Sequence, residues 1–96
     1  MNFAELQHQR TAIYAIADKY GIENIRVFGS VARGDADDAS DVDLMVHLQQ
    51  GKTLFDLMGF KGEMEDLLHR DVDVVEIEAV KNPLRKRYML EDVVPL

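Results

Sequence analysis

Apolar positions recur at two different periods along the chain. Over residues 3–20, Leu6, Ile13, Ile16, Ala17 and Tyr20 fall at helical spacing, with Gln7, Gln9, Arg10 and Lys19 on the polar side. Asn2 and Glu5 have the form of a capping box at the start of this helix, and Gly21 is a natural stop. A second long helix is predicted over residues 53–69, with Leu54, Leu57, Met58, Met64, Leu67 and Leu68 as its apolar stripe. Gly59 and Gly62 oppose it, each at about 1 kcal/mol against Ala, so they mark a kink or the close approach of another helix. Asn82 then Pro83 read as cap and first position of a short terminal helix over 83–91.

Between the helices the period changes to two. Residues 24–28 (NIRVF), 41–48 (DVDLMVHL) and 72–77 (VDVVEI) read as strands. Gly29-Ser30 leads out of the first strand into a helical turn through Val31, Ala32 and Arg33, which Gly34 ends. Residues 35–39 are small and polar and form a loop, and Gly51-Lys52 form a turn. The order helix, strand, turn, strand, helix, strand, helix predicts an α+β, two-layer fold. It comprises a small mixed sheet of three or more strands with helices mainly on one face. The other face is then available for a site.

The chain has 96 residues and no internal repeat or linker, so it is expected to form a single domain over 1–96. A chain of this size buries roughly two-thirds of its unfolded surface, enough for one thin core. A hydrophobic fraction of 47% argues against disorder. With no cysteine there is neither disulfide nor cysteine-ligated zinc. The N-terminus has an early acid and no long apolar run, and no segment approaches the ~20 apolar residues of a membrane helix. A cytoplasmic location is expected. The net charge of −7 makes direct nucleic-acid binding an unfavoured role, because such binding neutralises phosphates with Lys and Arg.

Much of that charge is local, in Asp35, Asp37, Asp38, Asp41 and Asp43. The first three read as a solvated loop. Asp41 and Asp43 are two apart on a strand, so they share a face while Val42 and Leu44 turn to the core. A pair of carboxylates on one sheet face suits magnesium, which takes oxygen ligands and usually keeps substrate phosphates among them. Asp73 has the same alternation in the third strand, and a neighbouring strand would bring it beside the pair. Gly29 and Ser30 sit where a strand meets a helical turn, a place where a backbone approaches phosphate closely. Arg33 either contacts phosphate or pairs with the loop acids. The alternatives are solvent-facing acids that protect an exposed sheet from edge pairing, and, for Asp73, a loop-end acid. An EF-hand does not fit, because the loop lacks the required glycine and glutamate. His8, His47 and His69 share no metal-ligand spacing. Arg85, Lys86 and Arg87 read as a partner-facing or solubilising helix face.

The stretch GSVARGDADDASDVDLMV resembles the signature of the polymerase-beta-type nucleotidyltransferase superfamily: GS, ten residues, DxD, then a distant aspartate. With VDVV and a Pro-started helix following, residues 1–94 are similar to its smallest members, the minimal nucleotidyltransferases. The resemblance implies two magnesium ions and ATP as substrate, with Gly29 and Ser30 at the nucleotide and Arg33 as a further nucleotide-binding candidate from its position after them. Asp41, Asp43 and Asp73 would be the catalytic, metal-binding residues, with Asp73 also helping to deprotonate the acceptor. It implies an antitoxin that transfers AMP to a hydroxyl, a tyrosine, of a partner HEPN-domain ribonuclease toxin. Two other functions stay open: neutralisation of the toxin by contact alone, and the catalytic subunit of a small-molecule, antibiotic-type nucleotidyltransferase.

Overall fold

The computed structural model describes all 96 residues. Five α-helices, a 3₁₀ turn and four strands follow one another. They are α1 (Phe3–His8), α2 (Arg10–Tyr20), β1 (Ile22–Phe28), α3 (Gly29–Arg33), β2 (Val42–Leu48), α4 (Leu54–Leu68), β3 (Val72–Glu76), the 3₁₀ turn (Ile77–Ala79), α5 (Pro83–Met89) and β4 (Val94–Pro95). The strands form one mixed sheet in the order β3-β2-β1-β4. β1 is antiparallel to β2 and to β4, and β2 is parallel to β3 across the α4 crossover. This is the α+β arrangement that the hydrophobic periods predict.

The main core lies between the sheet and α1, α2 and α4. Val42, Leu44 and Val46 of β2 and Ile25 and Val27 of β1 meet Leu6, Ile13, Ala17, Phe60 and Met64 there. Hydrophobic burial of this kind, about 25 cal/mol per Å² of apolar surface, is the main driving force for so small a chain. Asn2 and Glu5 form the capping box of α1, and Thr53 with Asp56 forms a second one on α4. Asn82 caps α5 through the Leu84 and Arg85 amides, with Pro83 at the first position.

Gly59 allows a close helix approach. A β-carbon there would lie 2.5 Å from Cε1 of Tyr20, so the glycine lets α4 close on α2. The Tyr20 hydroxyl donates to Glu63, which also accepts from Lys19 Nζ at 2.9 Å. Gly62 meets nothing within 4 Å.

Four details differ from the sequence expectation. The first helix is broken at Gln9 into α1 and α2. β1 begins at Ile22, two residues early, because Asn24 adopts φ +53 and shifts the register between Glu23 and Arg26. That bulge puts Ile22 and Ile25, three apart, both in the core. β4 is a fourth strand that no alternation announced. The second face is not wholly open: Met45 and Ile77 are buried outside the main core cluster. No helix is long and apolar enough to cross a membrane.

Candidate active site

The parallel register of β2 and β3 sets Asp43 directly opposite Asp73. Both follow residues, Val42 and Val72, that are fully buried on the core side, so both project from the other face. Asp43 is half-buried and Asp73 exposed. Burial pushes the Asp43 carboxyl up to about 6. The nearby Asp73, by repulsion and by hydrogen bonding between the two carboxyls, and the charge of Asp41 act in the same direction, while Arg33 opposes them. Asp41 is exposed and lies one residue before β2. No three His, Asp or Glu side chains are gathered into a ready metal cluster. Two of the three aspartates from the sequence reading thus stand side by side on neighbouring strands, and the third lies at the strand entrance.

Gly29 is fitted to this pair. It follows β1 and opens α3 at φ +72, and a β-carbon on it would run into the Asp43 carboxylate, 3.1 Å from its Cγ. Phe28 pairs with Asp43 across the β1–β2 ladder, which fixes the approach. Gly29, Ser30, Arg33 and Asp43 line a cleft of about 490 Å³, closed on its far side by Tyr88, Met89 and Asp92. The Arg33 guanidinium rests against Asp35 at 3.3 Å on the surface. The remaining loop acids act locally: Asp37 accepts from the Ala39 amide and the Ser40 hydroxyl, which holds its carboxyl below the usual range.

A second cleft, about 580 Å³, opens on the β3 side of the same two aspartates. Leu57, Met58, Val75 and Tyr88 make it largely apolar, and Lys61 and Arg85 reach its rim. Lys61 Nζ donates to Glu65 at 2.9 Å and to the Val72 carbonyl at 2.8 Å, while Glu65 accepts the Val72 amide at 3.1 Å. Both backbone groups of the residue before Asp73 are therefore held by α4. Sequence reasoning missed Lys61, Tyr88, Met89 and Asp92. The i,i+4 spacing of Lys61 and Glu65 was visible, but its target was not.

Residues 10–96 match the family model described as the nucleotidyltransferase domain. The chain belongs to this family. A Methanocaldococcus jannaschii relative, MJ0435, provisionally named a protein adenylyltransferase, is 35% identical over 94 residues, covering 98% of this chain and 97% of the relative. A solved structure provisionally described as a minimal nucleotidyltransferase superposes with a TM-score of 0.85 at 36% identity, covering 100% of this chain and 97% of that one. A crystal structure of a toxin–antitoxin with AMP-PNP shares the fold, with a TM-score of 0.72 at 18% identity over 88% of this chain and 69% of that one. The nucleotidyltransferase fold is thus the minimal form, and this chain is an enzyme of the nucleotidyltransferase class.

Proposed function

We propose that this nucleotidyltransferase transfers AMP from ATP to a hydroxyl of a partner protein, a tyrosine of a HEPN-domain ribonuclease toxin, and acts as its antitoxin. The observation that carries the reading is the pairing of Asp43 with Asp73 across β2 and β3, beside Gly29. Two like charges are held together at a cost that burial increases, at the place where a glycine leaves space for another group. The relatives' naming as protein adenylyltransferases and the toxin–antitoxin neighbour support the nucleotide and the partner class.

The donor set fits divalent metal. Asp43 and Asp73 offer oxygen ligands whose repulsion a cation removes, and the charge of Asp41 acts on the same carboxyl from the strand entrance. Bound there, two magnesium ions supply positive charge to the triphosphate. The Gly29 and Ser30 amides and the Ser30 hydroxyl bind phosphate oxygens, and Arg33, turned from Asp35, adds charge to the same cleft. The acceptor oxygen attacks the α-phosphorus in line. The new P–O bond forms as the bond to the β-phosphate bridging oxygen breaks, and pyrophosphate leaves. The acceptor proton passes to the Asp73 carboxylate. Most of the rate comes from positioning and charge, as in phosphoryl transfer generally.

The test is mass spectrometry of the protein encoded by the adjoining gene after incubation with this chain, ATP and magnesium. A gain of one AMP on a tyrosine is expected. An unmodified partner whose ribonuclease is nevertheless silenced overturns the enzymatic reading and leaves neutralisation by contact.

A further inference from the structure

β3 is one of the two edge strands of the sheet. The Asp71 carbonyl accepts from the Val42 amide, so residues 71, 73 and 75 face β2, and the backbone of Val72, Val74 and Glu76 faces outward. The outward groups of Val72 are capped by Lys61 and Glu65. Those of Val74 and Glu76 have no such side-chain cap and make no hydrogen bond to a turn or loop. An uncapped edge of this kind is a template for another strand.

A groove runs along this uncapped stretch. Near Glu76 it is a cleft of about 390 Å³ between Leu54 and Leu57 of α4 and the segment Ala79–Asn82. Past Val75 and Arg85 it continues into the apolar cleft that ends at Asp43 and Asp73. Large apolar side chains that line it stand exposed: Tyr88 is 77% exposed, Leu54 68% and Met58 58%. Exposed apolar clusters of this kind mark sites of contact with another protein. Lys61, Lys81 and Arg85 line the groove in a chain of net charge −7.

We propose that the free edge of β3 and the groove beside it bind an extended segment of the acceptor protein, which joins the sheet as a further strand and carries its hydroxyl to Asp43 and Asp73. The proposal rests on the function proposed above and names how that partner docks. Main-chain bonds to Val74 and Glu76 supply the register, and the apolar side chains that face Leu54, Leu57 and Val75 supply affinity. Acidic residues flanking the segment meet Lys81 and Arg85.

The test is amide hydrogen exchange of this chain with and without the protein encoded by the adjoining gene, alongside Leu54→Lys and Met58→Lys variants. Both positions are exposed, so the variants are expected to fold, and circular dichroism checks this. On partner binding, exchange at Val74 and Glu76 is expected to slow at least tenfold. The variants are expected to lose partner binding tenfold or more while binding AMP-PNP as before. Unchanged exchange at both amides, with wild-type AMP transfer by both variants, overturns the groove and leaves the adenylyl transfer standing. Partner binding and slowed exchange without any AMP transfer support the groove and overturn the transfer. A dimer of the free chain that the two variants convert to monomer gives the groove to a second copy and overturns the proposal.

Discussion

The α-carbon of Gly29 lies against the Asp43 carboxylate, so closely that no β-carbon fits between them. Gly34 offers the control, since it has φ +82 with nothing within 4 Å. Gly34→Ala should bear only the left-handed backbone cost, roughly 1–2 kcal/mol, with AMP transfer retained. Gly29→Ala should bear the same cost and also displace Asp43, lowering transfer by on the order of 100-fold. Thermal melts and a transfer assay on the two variants separate backbone strain from the collision.

The Asp43 carboxyl sits at about 6 in the folded chain, well above its ordinary range, chiefly through burial and then through Asp73. The folded state therefore holds this proton more tightly than the unfolded one does. Stability from this group falls as pH rises from about 4 to 6 and stays lower above that. In metal-free buffer, Asp43→Asn should raise the melting temperature at pH 8 by on the order of 5 °C and change little at pH 3.5. AMP transfer should be lost in the same variant, and the magnesium affinity of the native chain should weaken about tenfold per pH unit below 6.

How much of this was legible in the sequence depended on how local each feature is. The face of Asp43 and the Gly29-Ser30 turn are set by neighbours in the chain, so spacing was enough to single them out, whereas Asp41, expected inside the strand, falls one residue before β2. The meeting of Asp43 with Asp73 depends on the register of a parallel pair across a 15-residue helix, and alternation gave only the face. The bulge at Asn24 hid the start of β1 by breaking its period. β4, two residues long, has no period to read. The break at Gln9 involves neither Gly nor Pro, and the apolar spacing runs through it. The ambiguity at Gly59 was whether it kinks α4 or admits a neighbour, and Tyr20 decides for the neighbour.

Gly59→Ala should consequently destabilise the fold even though alanine favours a helix by about 1 kcal/mol. The new methyl meets the Tyr20 ring, which cannot swing freely because its hydroxyl is bonded to Glu63. Overpacking of this kind costs about 1–3 kcal/mol. Gly62→Ala, facing open space, should instead stabilise by a few tenths to about 1 kcal/mol. Denaturant titration of the pair measures both signs.

His47 links three elements: Nδ1 lies 2.9 Å from Glu78 in the 3₁₀ turn and Nε2 3.4 Å from Glu23 in β1. The bond to Glu78, with the charges of Glu23 and Glu76, raises its pKa above the usual histidine value. Its stabilising contribution is present below pH 6.5 and is lost as pH rises through the raised value. His47→Gln should therefore lower the melting temperature at pH 6 and have little effect at pH 9.

Lys61 and Glu65 grip both backbone groups of Val72, one residue before Asp73. The ion pair between them is partly exposed, and such pairs alone contribute ~0–1 kcal/mol. Their larger effect should be on the aim of Asp73, because the strand they hold is an edge strand with β2 on one side only. Lys61→Met keeps the apolar stem against the cleft and removes the donor to the Val72 carbonyl. The expected result is a small loss of stability but a fall of roughly tenfold in AMP transfer, with a higher magnesium requirement and unchanged affinity for AMP-PNP, whose phosphates the proposed function puts on the Gly29 side. Lys61→Arg, which restores a donor and the charge, should recover most of the rate. A variant with full activity at native magnesium concentrations would show that Asp73 needs no such grip, and that β2 alone holds it in place.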